Sequence, residues 1–295
     1  VRQENQYRIV DQLSGKKGYS IGLLCEVAGV NRGAYYKWKG REDSEEDQFN
    51  QKVMKDIQAQ RKRDQTLGYR RMTIFLNRHY EKNHEFLVNK KRVYRLMQIM
   101  GMKSVIRRKK YTYKPSSETH TAKNVLNRNF KASLPNEKWL TDVTELKYGR
   151  DQKAYLSAIL DMYDNRIVCY KLTRANNNEL VFDTVNEALA SLSNEHPLLH
   201  TDRGVQYTSY GFKRIVESAG LQHSMSRPGK CIDNGPMEGF WGTLKCEKYY
   251  LNTWTDCSFE QLAIAIGDYI NYYNNERYQP VLGGLAPMEC LALSA

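Results

Sequence analysis

The sequence predicts a multidomain chain: all-α helix-turn-helix units at the front, then an α/β core with a mixed sheet in the order βββαβαβα. Two observations carry this. Apolar residues recur at helical spacing as far as about residue 100 and give way to β-rich runs from Pro135 onward. Charge divides at the same place: residues 1–133 hold 30 Lys+Arg against 13 Asp+Glu, and residues 134–295 hold 15 against 20. A basic half joined to an acidic one fits a nucleic-acid-binding arm attached to a unit that gathers carboxylates. With 295 residues and 41% hydrophobic content the chain can bury a sizeable core. No run approaches the ~18 apolar residues of a membrane span, and the polar opening VRQENQYRIV is not a secretory signal. The six cysteines are scattered without a C-x-x-C pair, which points to a reduced cytoplasmic protein rather than a disulfide scaffold or a zinc site.

Residues 20–39 read as a helix-turn-helix. Leu23, Leu24, Val27 and Ala28 make an apolar stripe, Gly29 breaks it, and a second short helix runs from Arg32 to Lys39. The second helix of such a pair enters the major groove, so Arg32, Tyr36 and Lys37 are expected to face DNA while Val30, Tyr35 or Trp38 pack inward. A second helical unit follows, with helices expected over 48–62, 66–80 and about 88–100. Ile74, Phe75 and Leu76 go inside and Arg70 and Arg71 stand near a helix start. In the last helix Val93, Leu96, Met97 and Met100 oppose Lys90, Lys91, Arg92 and Arg95, an arrangement suited to phosphate contacts. Residues 107–124, RRKKYTYKPSSETHTAKN, read as a basic linker in which Arg107 and Arg108 begin a run of cations interleaved with tyrosines. His79 and His84 lack partners at metal-ligand spacing and read as ordinary residues.

In the back half, strands are expected over 138–148, 154–164 and 165–173, a helix over 177–192, a strand over 197–202, a helix over 210–220, a strand over 221–226 and a helix over 236–249. Three carboxylates stand out. Asp142 lies inside the first strand on the side of Leu140 and Leu146, where an uncompensated carboxylate is costly. Asp202 follows a short apolar strand at its carboxyl end, where α/β sheets place ligand chemistry. Glu238 falls in the first turn of a helix that Asp233 or Asn234 can cap, with Pro236 beside it. Lys245 comes seven residues later, two turns on and on the same face.

WLTDVTEL, HTDRGVQYTS and SMSRPGKCIDNGPMEGFWGTLKCE resemble the three acidic motifs of DDE transposases of the insertion-sequence-three family, whose core is retroviral-integrase-like and ribonuclease-H-like. The 35 residues between Asp202 and Glu238 and the lysine seven residues on are part of the likeness. GYRR, VNKKRVYRLMQIMGM and YINYYNNERYQPVLGGLAPMECL resemble that family's second helical unit and C-terminal segment. Arg203 and Gly235–Pro236–Met237 are local departures that remove no carboxylate. The resemblance implies a downstream-frame transposase with catalytic, metal-binding Asp142, Asp202 and Glu238, two Mg2+ ions per site that Mn2+ replaces, and Lys245 on DNA near the cleaved end. Three hard carboxylates suit in-line phosphoryl transfer assisted by two divalent cations.

The implied divisions are 1–45 helix-turn-helix, 46–105 second DNA-binding unit, 106–134 linker, 135–250 catalytic core and 251–295 C-terminal helical segment. Implied partners are duplex DNA (terminal repeats and target), further copies of the chain, and an upstream-frame helix-turn-helix protein, as fusion or separate chain. A bacterial, nucleoid-associated cytoplasmic location follows, with no membrane. The competing readings are a non-catalytic DNA-binding regulator with an inactive core and a nuclease acting on RNA in hybrids. Among rival acids, Asp161 and Asp164 lie near a strand turn and Glu247 is second choice for the third acid. His200-x-x-Arg203 also matches a tyrosine-recombinase pair, against the strands that precede it.

Overall fold

The computed structural model describes residues 2–40, 44–83, 87–105 and 121–294; Arg107, Arg108 and His84 lie outside them. The chain divides into two compact units, Val1–Ala59 and Gln60–Ala295.

The first unit packs α1 (Arg2–Lys17), α2 (Ile21–Val27) and α3 (Arg32–Lys39) around Val10, Cys25 and Tyr35, with Tyr7, Ile21, Leu24, Ala28, Val30 and Trp38 against them. Gly29 turns the chain at φ +64° between α2 and α3. The Asn31 side chain caps α3 by accepting from the Gly33 and Ala34 amides at 2.8 and 3.1 Å. The expected inward stripe on α2 is corrected in part. Leu23 and Val27 are exposed, because the core takes the Ile21–Leu24–Cys25–Ala28 side of this short helix.

Helix α4 spans Glu45–Arg63. In the second unit α5 (Tyr69–Lys82) and α6 (Lys90–Ile99) follow, burying Met72, Leu76 and Tyr80 from one and Val93, Leu96 and Met97 from the other. Asn89 caps α6 through the Arg92 amide at 2.8 Å.

The five strands are β1 (Lys138–Tyr148), β2 (Gln152–Asp161), β3 (Ile167–Thr173), β4 (Leu198–Thr201) and β5 (Gln222–Met225), in the order β3-β2-β1-β4-β5. β1, β2 and β3 form an antiparallel meander, and β4 and β5 join β1 in parallel. Helices α7 (Asn178–Ala190) and α8 (Tyr210–Ser218) cover one face, over Trp139, Ile159 and Leu199. Helices α9 (Gly235–Glu247) and α10 (Phe259–Asn275) cover the other, over Leu140, Leu146, Leu156 and Leu160. Alternate residues of β1 therefore serve two cores, as a two-sided sheet requires. This is the expected βββαβαβα order: a helical region followed by a ribonuclease-H-like core with a mixed sheet.

Residues 121–126, expected as the end of a linker, run along β5. The Val125 and Leu126 amides donate to Ser224 Oγ, both at 3.0 Å, and the Met225 amide to the Lys123 carbonyl at 3.3 Å.

A buried polar cluster ties the helical part of this unit to the sheet's helices. Glu247, at the end of α9, pairs with Arg71 of α5 and accepts from Arg277 at 2.8 and 2.9 Å and from Tyr269 of α10 at 3.0 Å. Arg71 also donates to the Tyr272 hydroxyl at 3.2 Å, which donates to Asp64 at 3.1 Å. Next to it Arg78 pairs with Glu289 and lies 4.2 Å over the Tyr278 ring. The last described helix is α11 (Pro287–Ala292).

Glu247 is 8% exposed, so removing it strips the Arg277 guanidinium of its carboxylate and leaves Arg71, half-buried, only the longer pair with Asp64 at 3.6 Å. Glu247→Ala is expected to cost ~3–5 kcal/mol of stability in urea unfolding. Glu260→Ala, which breaks the solvent-exposed pair with Arg174 and removes the acid from the first turn of α10, should cost less than about 1 kcal/mol.

Candidate active site

The site forms where β4 stops and β1 continues. The two strands pair in parallel as far as Leu140 opposite His200. Two residues further on, each chain presents an aspartate toward the same face: Asp142 within β1 and Asp202 just beyond β4. Because β4 ends at Thr201, β1 continues past it paired with β2 alone, so its β4-side edge is without a strand partner at Asp142.

Asp142 lies on the α9 side of the sheet. Its Oδ1 accepts from the Val143 amide at 2.8 Å and its Oδ2 from the indole Nε1 of Trp241 at 3.0 Å. Asp202 Oδ1 accepts from the Gly204 amide at 2.8 Å, which closes the tight turn after β4. Glu238 is exposed in the first turn of α9, one turn before Trp241. Burial, then the repulsion of Asp202 and the weaker one of Glu238, push the Asp142 carboxyl up to about 8. Burial also raises Asp202, and it raises the Tyr207 phenol, with both aspartates adding to the latter.

Lys245 reaches the same strand face, donating to Thr144 Oγ1 at 2.6 Å. Asn234 gives α9 no side-chain cap. Its Nδ2 donates to the Thr141 carbonyl at 3.3 Å, and its buried Oδ1 has no hydrogen-bond partner among the described residues. Asp233 does not cap α9 either; it is fully buried between Arg227 and Arg128, and its bonds to Arg227 hold it well below the usual carboxylate range.

The rival groups are engaged elsewhere. Asp161 and Asp164 are buried on Arg166, and Glu247 is enclosed by Arg71, Arg277 and Tyr269. His200 is fully buried between Ser224 and Ser226 at 2.9 and 3.1 Å, and burial lowers it to about 4, so the His200–Arg203 pair offers no accessible acid.

The residues expected on DNA divide. Arg32, Tyr36, Lys37, Arg70, Lys90, Lys91 and Arg95 are exposed, with Arg32 5.7 Å over the Tyr36 ring and Arg70 5.7 Å over Tyr69. Arg92 is half-buried. Arg71 is corrected: its guanidinium is turned inward to Glu247, because a buried carboxylate demands a cation more strongly than solvent does.

Trp241 carried a sequence signal that went unread, its three-residue spacing from Glu238 on one helix face. The pairing of Asp233 with Arg128, 105 residues away, carried none.

Residues 132–231 and 238–290 each match a family described as an integrase core domain, and residues 48–110 match an HTH-like domain. An uncharacterized transposase-like protein of Haemophilus influenzae is 43% identical over 201 residues, spanning 68% of this chain and 92% of that protein. The putative transposase InsK for insertion sequence element IS150 of Escherichia coli is 35% identical over 272 residues, spanning 92% of this chain and 93% of InsK. The chain belongs to the insertion-sequence-three family of DDE transposases. Transposase InsF for insertion sequence IS3A of Escherichia coli is 29% identical over 278 residues, 91% of this chain and 93% of InsF. The transposase is thus an enzyme of the polynucleotidyl-transferase type, with a helix-turn-helix DNA-binding domain and an integrase core of the kind that uses divalent metal. No described helix is long and apolar enough to cross a membrane.

The donor set fits a hard divalent cation in two of its three members. Asp142 and Asp202 are adjacent oxygen donors whose mutual repulsion a cation relieves. Among the described residues no three His, Cys, Asp or Glu side chains close round one point.

The raised Asp142 carboxyl fixes a sign for pH dependence. From its ordinary 3.8 up to about 8 the folded state holds a proton that the unfolded state has lost, so stability falls as pH rises across that window. Melting temperature in chelator is expected to drop by a few degrees from about pH 5 to pH 8, Asp142→Asn to flatten that drop, and added Mg2+ to reverse it for the unaltered chain alone.

Proposed function

We propose that this transposase binds the terminal inverted repeats of its insertion sequence through the helical units at 1–45 and 46–105 and cuts and joins DNA at Asp142, Asp202 and Glu238. The observation that carries the reading is the parallel β1–β4 register, which sets Asp142 beside Asp202 under the helix bearing Glu238. The reaction is two in-line displacements at phosphorus. Water first frees a 3′-hydroxyl at the element's end, and that hydroxyl then attacks a target phosphodiester.

Two magnesium ions, replaceable by manganese, would supply compensating charge for the attacking and departing oxygens when bound by the three carboxylates. The chain's own groups set the geometry. The Gly204 amide holds Asp202, and Trp241 fixes the plane of Asp142 while its indole, a donor only, favours the ionised carboxylate. Lys245, on the face of β1 that carries Asp142, meets the DNA near the cleaved end. Arg32, Tyr36 and Lys37 contact DNA from the first unit, and Arg70, Lys90, Lys91, Arg92 and Arg95 from the second. Arg107 and Arg108, outside the described residues, extend that set. Because two element ends must be held together, the active form is an assembly of copies, with an upstream-frame protein as a further partner.

The test uses the full chain with labelled duplex carrying the element's end, with and without Mg2+. Nicking at the end and joining to a second duplex are expected for the unaltered chain. Asp142→Asn, Asp202→Asn and Glu238→Gln should each lose more than ~10²-fold of both, beyond what loss of a group supporting a ligand costs, while terminal-repeat binding persists. Cleavage surviving in Glu238→Gln would remove Glu238 from the site.

A further inference from the structure

Asp233 is fully buried, yet its two oxygens serve two arginines. Arg227 grips it with Nε and Nη2 at 2.8 and 2.7 Å and adds its backbone amide at 3.1 Å. Asn124 donates to it at 2.9 Å. Arg227 alone therefore balances the charge, but Arg128 binds as well, through Nε at 2.7 Å. The cluster carries a net positive charge at the surface: the two arginine side chains remain 42% and 43% exposed. The Nη groups of Arg128 and Nη1 of Arg227 have no partner among the described residues. A guanidinium held along one edge loses little rotamer freedom when a second oxyanion meets its other edge.

The cluster is mounted on the backbone that builds the active site. Ser226, just before Arg227, donates its amide to the Thr201 carbonyl at 3.0 Å and accepts from Arg203 Nε at 2.7 Å, which ties it to the turn holding Asp202. Asn234, just after Asp233, donates to Thr141, the neighbour of Asp142. Exposed Lys123 and Lys230 lie on the two segments that Asp233 joins. A polyanion entering a site of three carboxylates needs cations at its flanks, and these arginines are placed to supply them.

We propose that Arg128 and Arg227, pinned by Asp233, form a clamp for the phosphates flanking the reacting bond of duplex DNA. The clamp is a contact of the core itself, separate from the helical DNA-binding units and indifferent to base sequence. It rests on the reading of the core as acting on DNA and adds where the core grips its substrate.

The test measures binding of the full chain to a short labelled duplex of arbitrary sequence, in chelator, across about 50 to 200 mM salt. Arg128→Gln, which leaves Asp233 its two-point partner, should lower the slope of log affinity against log salt by about 0.9, the loss of one phosphate contact. Arg227→Gln should do the same with a lower melting temperature, since it also strips Asp233. An unchanged slope in Arg128→Gln, with or without a drop in melting temperature, overturns the clamp and leaves the arginines as neutralisers of Asp233. Loss of cleavage in Asp142→Asn reports on the catalytic reading, and the salt slope taken without metal reports on the clamp, so each can fail alone.

Discussion

The early end of β4 beside a longer β1 is the constraint on which the rest depends. Parallel pairing brings the two strands level at Leu140 and His200, and the next residues of like orientation are both aspartates. Two carboxylates side by side in a partly buried place repel, and among the described residues no lysine or arginine pairs with them as one does with Asp161, Asp164, Asp233 and Glu247. The fully buried acids among the described residues, Asp161, Asp164 and Asp233, each have an arginine. Between Asp142 and Asp202 the repulsion is retained, a kind of charge that a divalent ion relieves.

Helix α9 is held at both ends by different means. Its first turns meet β1 through Trp241 and Asp142, and its last through Glu247, Arg71 and Arg277. A helix fastened this way carries Glu238 and Trp241 on one body, a turn apart, above the strand that bears Asp142. The same Glu247 cluster makes α5 and α10 neighbours of α9 and gives the C-terminal tyrosines an intramolecular use: Tyr269 and Tyr272 are hydrogen-bonded within it.

Much of this was legible in the sequence because it is local. β1 announces itself over 138–148 by alternation, and α9 by Pro236 and its apolar face. The carboxylates were legible as a spaced set, and their clustering as a consequence of strand order. What stayed hidden depends on partners distant in sequence. Nothing near Arg71 says that its counter-ion is Glu247, 176 residues on, and nothing near Asp233 names Arg128. Helix α1 went unread because its residues are largely polar, and Val10 becomes a core residue only when Tyr35 closes on it. Leu23 and Val27 failed differently: a two-turn helix with apolar residues on two sides does not declare which side is inner.

Residues 121–126, fastened along β5 through Ser224 and Met225, have a consequence for how copies can meet. A sheet margin with open amides and carbonyls is a template for another chain's strand, and here the protein's own backbone takes the Met225 amide of that margin through the Lys123 carbonyl. Pairing of another strand at that position of β5 requires this segment to be displaced first. The stretch leading into β1 thus also shields part of the sheet margin.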